Sequence, residues 1–138
     1  MGTYWYQAPE CFDQSKNPQI TSKVSLTLTI NNSSSNAVKN VLIILISVSQ
    51  VDIWSVGVIF YELLFGVKPF GHDKSQMAIV RDQTILNARQ VQFPQKPSIS
   101  DGCKEFIRRC LAYHHQDRYD VYEAYYSPYL RGNSSSSA

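Results

Sequence analysis

Three cysteines, Cys11, Cys103 and Cys110, and three histidines, His72, His114 and His115, are the side chains of this sequence most suited to holding a soft metal or attacking a substrate. Zinc sites and redox pairs place such groups at short, fixed spacings of the Cys-x-x-Cys kind. Neither set has that spacing, and no thiolate or carboxylate stands at ligand distance along the chain from the histidines. The histidines are therefore expected to be solvated. The cysteines, odd in number, are expected to be reduced thiols of an intracellular protein rather than a disulfide framework. Nine tyrosines and two tryptophans could stack bases, but single-strand sites set their aromatic platforms in a basic groove. Here 13 basic and 11 acidic side chains are interspersed and the net charge is +2, so no field recommends nucleic acid or an anionic membrane as partner.

The elements that must position anything functional are mostly helical. With 138 residues, 43% of them hydrophobic, the chain is long enough for one core. Residues 51–65 carry apolar side chains on every face, which predicts a helix at the centre of a fold. Gly66 supplies its C-terminal stop, and Pro69 prevents continuation. Residues 75–86 predict an amphipathic helix, and Ser100 can cap a third whose inward face is Cys103, Phe106, Ile107, Cys110 and Leu111. Asp120 can cap a short last helix through Tyr126, closed by Pro128. The serine-rich tail, residues 132–138, is low-complexity.

Residues 24–50 differ from the rest. Val24, Leu26, Leu28 and Ile30 alternate with Ser25, Thr27 and Thr29, a strand period, and a polar turn follows before a second strand-prone run at residues 41–48. Together the two runs could form a β-hairpin. The apolar run is far below the ~20 residues that a membrane-spanning helix needs, and the start of the chain lacks the basic and apolar regions of a secretory signal.

Two motifs carry the functional information. Gly2-Thr3-Tyr4-Trp5-Tyr6-Gln7-Ala8-Pro9-Glu10 is followed some forty residues later by Asp52-Ile53-Trp54-Ser55-Val56-Gly57-Val58. The pair resembles the end of a protein-kinase activation segment and the central helix that follows it. Lys68-Pro69-Phe70-Gly71-His72, Thr84-Ile85-Leu86, Val91-Gln92-Phe93-Pro94 and Phe106-Ile107-Arg108-Arg109-Cys110-Leu111-Ala112-Tyr113 are similar to the tousled-like Ser/Thr kinases in particular. The resemblance covers about residues 2–23 and 51–131. It implies a mainly α fold, the C-terminal lobe of a kinase, with 24–50 as an insertion that has no counterpart in the family.

The resemblance also implies roles. Thr3 matches the threonine that bonds the catalytic aspartate and shapes the pocket for the residue after the phosphoacceptor. Ala8, Pro9 and Glu10 match the motif whose glutamate pairs with a buried arginine, here Arg118, while Trp54 and Gly57 belong to the central helix. Asp52 matches the aspartate that accepts hydrogen bonds from the catalytic loop, but the residue alone fits an ordinary helix N-cap, and that is the expectation here. The family reaction uses ATP and magnesium, held by a glycine-rich loop, a lysine and two aspartates that this sequence does not contain. The expected role is thus a scaffold that has no catalytic, cofactor-binding or metal-binding residues of its own, acts with protein substrates or kinase partners, and is nuclear by resemblance. The competing expectation is a noncatalytic interaction module, and a third is an incomplete gene model. Joining Lys23 directly to Val51 restores kinase-like wording, which suggests a retained intron for 24–50, and a partner-binding surface insertion is the alternative.

Overall fold

The computed structural model describes residues 4–13 and 34–132. Two 3-10 turns, Tyr4–Tyr6 and Pro9–Cys11, precede five helices: α1 (Ser34–Phe65), α2 (Gln76–Arg81), α3 (Asp101–Cys110), α4 (Val121–Tyr125) and α5 (Pro128–Arg131). No strand occurs among the described residues, and the chain is mainly α. Thr3, the alternating run at residues 24–30 and the serines from 134 onward lie outside the described residues. Among the described residues no helix is long and apolar enough to cross a membrane.

The hairpin expectation is corrected at its second arm. Residues 41–48 are helical, part of the 32-residue α1, which begins at Ser34 rather than at residue 51. A short apolar run does not distinguish strand from helix by its period. Neither glycine nor proline separates this run from the central helix. Extending a formed helix by one residue is far easier than nucleating a new element, so the run joins its neighbour. The expected boundary between residues 50 and 51 falls inside a continuous helix.

Around α1 the core forms on one stripe. Trp54, Val58 and Tyr61, four and three residues apart, are buried with Ala8, Ile79, Ile85, Cys103, Ile107 and Leu111. Each large side chain so buried contributes about 1.5–3 kcal/mol. A smaller cluster joins Ile53 of α1 to Phe106 and Cys110 of α3 and Ala124 of α4. The opposite face of α1 is apolar but open: Val56, Ile59 and Leu63 are 50%, 48% and 79% exposed. Gly57 explains how closely α3 approaches, since a Cβ there would lie 2.8 Å from Cys110 Cβ and 2.9 Å from Leu111 Cδ2.

The helix ends follow local chemistry. Gly66 terminates α1 at φ +71, with its N–H donating to Glu62 O at 2.8 Å. Ser75 and Ser100 cap α2 and α3 through their hydroxyls. The α3 inward face is the expected one, Cys103, Phe106, Ile107 and Cys110. The second helix is shorter than expected, ending at Arg81. Ile79 and Ile85 are both buried, and a six-residue separation cannot put both on one face of a helix. The chain instead turns at Gln83, which takes a φ of +50. Asp120 caps α4 in a full capping box with Glu123. Pro128, expected only to close that helix, opens α5 at a position where its missing N–H costs nothing.

Candidate functional site

The turn after α3 delivers Arg118 into the interior. Asp117 N donates to His114 O at 3.0 Å, and Tyr119 N donates to Arg109 O at 3.1 Å, which ties the turn back to α3. The Arg118 side chain has no exposed area, whereas that of Glu10 is 20% exposed. Its Nη1 and Nη2 donate to Glu10 Oε1 and Oε2 at 2.6 and 3.1 Å, a bidentate pair. The remaining N–H groups reach backbone carbonyls: Nε to Ala112 at 3.0 Å, Nη1 to Gln50 at 3.1 Å and Nη2 to Tyr113 at 3.3 Å. Every donor of the guanidinium fork is therefore satisfied, the condition under which a buried cation is tolerable. One side chain thus joins the N-terminal segment, α1 and the loop after α3. Above it lies Trp54, its ring centre 5.0 Å from Arg118 Cζ, itself stacked on Phe70 at 5.6 Å and 19°. Ala8 is fully buried against this cluster, and Pro9 starts the 3-10 turn that presents Glu10.

A second junction holds the same segment. Trp5 Nε1 donates to Gly71 O at 2.8 Å, Tyr6 OH to Glu62 Oε2 at 2.7 Å, and Ser55 Oγ to Tyr6 O at 2.7 Å. Lys68 Nζ donates to Glu62 Oε1 at 3.1 Å and sits 5.3 Å from the centre of the Trp5 ring. The bond from Tyr6, then that from Lys68, holds the Glu62 carboxyl below its ordinary range, and the same bond raises the Tyr6 phenol. Sequence reasoning missed Trp5, Tyr6, Ser55, Glu62 and Lys68 as a group. The contacts between the N-terminal segment and α1 join residues some fifty apart in sequence, and no local pattern marks Ser55 or Glu62 among the polar residues of α1.

The other expected residues separate. Asp52 is corrected: it is exposed and eighteen residues inside α1, so it caps nothing. Gly57 is where the close packing of α1 on α3 requires it. The three cysteines are free thiols, and burial pushes Cys110 up to about 12, which makes it a poor nucleophile at neutral pH. Among the described residues no three His, Cys, Asp or Glu side chains converge where they could hold a metal ion. A pocket of about 150 Å³, lined by Phe12, Ile79, Val80, Gln83, Ile85 and Leu86, is below the ~300–1,000 Å³ of small-molecule sites.

Comparison with known proteins agrees with this architecture. The family description "Protein kinase domain" matches residues 46–130. The chain is 45% identical over 139 residues to the serine/threonine-protein kinase tousled-like 1 of Mus musculus, an alignment covering 97% of this chain and 15% of that protein. It is 45% identical over 130 residues to the serine/threonine-protein kinase TOUSLED of Arabidopsis thaliana, covering 94% and 15%. Tousled-like 1 of Caenorhabditis elegans is 43% identical over 122 residues, covering 88% and 10%. The chain thus spans about 15% of the length of the first two of these relatives. With more than half of its residues inside the family match, the chain belongs to the protein kinase family, among the tousled-like serine/threonine kinases.

Proposed function

We propose that this chain is the substrate-side scaffold of a kinase that transfers the ATP γ-phosphate to Ser or Thr hydroxyls of proteins, and that it does not catalyse the transfer by itself. The observation that carries this reading is the buried Glu10–Arg118 clasp beneath Trp54, which locks the end of the activation-segment-like motif to the central helix. A clasp of that kind fixes a surface and moves no proton, so its contribution is architectural. The sequence carries this motif but neither a glycine-rich loop nor an Asp-Phe-Gly triplet, the parts that cradle phosphate and hold metal. In the complete enzyme Thr3 would line the pocket for the residue after the phosphoacceptor. Asp52, exposed on α1, would accept hydrogen bonds from the catalytic loop rather than from its own helix. Nuclear location is part of the same proposal.

The test is a phosphotransfer assay with ATP and a generic protein substrate, run on the purified 138-residue chain and on the full-length kinase carrying the same residues. Turnover by the longer protein only is the expected result. Turnover by the short chain overturns the scaffold role.

A second reading, a noncatalytic interaction module, is favoured by the open stripe of Val56, Ile59 and Leu63. Capture of kinase-family partners by a chain inactive in every context would support it. For residues 24–50 the proposal is a retained intron, supported by the kinase-like wording that joining Lys23 directly to Val51 restores. Sequencing transcripts across the codons for Lys23 and Val51 decides this, since uniform retention would count against it.

A further inference from the structure

We infer that Ser55 is a positioning residue for protein substrate, acting through the backbone of the segment that carries Tyr4, Trp5 and Tyr6. The inference rests on the proposed function. Trp5, Tyr6 and Glu10 hold that segment through their own side chains, which can swing while the main chain shifts. Ser55 instead reaches from α1 to the main chain itself, donating to the Tyr6 carbonyl at 2.7 Å. Its hydroxyl has one proton and two acceptors within reach. The other is Val51 O at 3.4 Å, one turn back along the helix, where a mid-helix serine ordinarily bonds. The shorter distance gives the proton to Tyr6, so the hydroxyl is turned away from its own helix and toward the segment. Alanine at this position would favour α1 intrinsically, and the Val51 carbonyl does not depend on the hydroxyl. The bond therefore serves the segment rather than the helix. In the proposed function this segment belongs to the substrate side, so a shift of its main chain at Tyr6 moves the surface that a substrate would meet.

Ser55→Ala in the full-length kinase is expected to raise KM for a protein substrate about fivefold, the equivalent of one neutral hydrogen bond, with kcat within about twofold of wild type. Ser55→Thr, which restores a hydroxyl, is expected to return KM to within about twofold of wild type. In the full-length kinase, amide exchange at residues 6–8 is expected to quicken about fivefold in Ser55→Ala while exchange in α3 is unchanged. An unaltered KM with ordinary turnover overturns the substrate role of Ser55 and leaves the kinase reading standing. A wild-type full-length protein without turnover overturns the kinase reading and the substrate role together. Unaltered exchange at residues 6–8 overturns the positioning role whatever the kinetics.

Discussion

Removing either side of the Glu10–Arg118 clasp strands the other, and Arg118 has no exposed side-chain surface through which water could reach it. Glu10→Gln and Arg118→Met are each expected to lower stability by roughly 3–5 kcal/mol, Glu10→Gln at the lower end because its side chain is partly open. Midpoints of urea unfolding check this, and values within 1 kcal/mol of wild type would mean that the clasp is incidental. Arg118→Lys should recover only part of the loss, because an ammonium group cannot serve a bidentate carboxylate and three carbonyls at once. The Glu62 junction carries a pH signature. Its carboxyl is held below the ordinary range, so its stabilisation is complete above about pH 4.3 and is lost as pH falls through the lowered folded value. Glu62→Gln should flatten the acid limb of the stability profile in that window. At this scale the sequence disclosed Glu10, Arg118 and Trp54 because they sit in motifs. It disclosed nothing of Tyr6 and Glu62, whose contact exists only once α1 lies beside the N-terminal segment.

Gly57 shows how packing between elements can outweigh the preference of one element. Within an isolated helix Gly→Ala gains about 1 kcal/mol. Here the added methyl would sit inside contact distance of Cys110 and Leu111, so Gly57→Ala is expected to destabilise by about 1–3 kcal/mol through overpacking of α1 on α3. A raised Tm for this variant would refute that close approach. The caps at Ser75, Ser100 and Asp120 and the stop at Gly66 were legible because each is a local bond between one side chain or glycine and a nearby backbone group. The extent of α2 was not, because it depends on two isoleucines reaching one core from incompatible helical positions. The helical state of residues 41–48 was illegible for a related reason. A β-branched apolar run takes its conformation from what it adjoins, and here it adjoins the central helix.

Taken whole, the molecule has a buried stripe and an open apolar stripe on the same helix. The mostly helical architecture and the inward face of α3 could be read from periodicity, which senses burial but not what provides it. The central helix is apolar all round, and on it Val56, Ile59 and Leu63 are open, as expected for a helix whose usual neighbours are absent from this sequence. Such surface favours self-association, and the 138-residue chain is expected to be poorly soluble or partly molten. Leu63→Lys with Ile59→Gln should raise the monomer fraction seen by light scattering without lowering the free energy of unfolding by more than about 1 kcal/mol, since neither side chain is buried. A wild-type chain that is already a monodisperse monomer would contradict this. The bond from Arg118 to Gln50 adds a consequence for the proposed retained intron. It ends on a peptide oxygen, not on the glutamine side chain, so any amino acid placed immediately before Val51 offers the same acceptor. A shortened messenger that puts Lys23 in that place would still supply it, and the two alternative products would differ in what they carry ahead of the central helix while sharing one lock behind it.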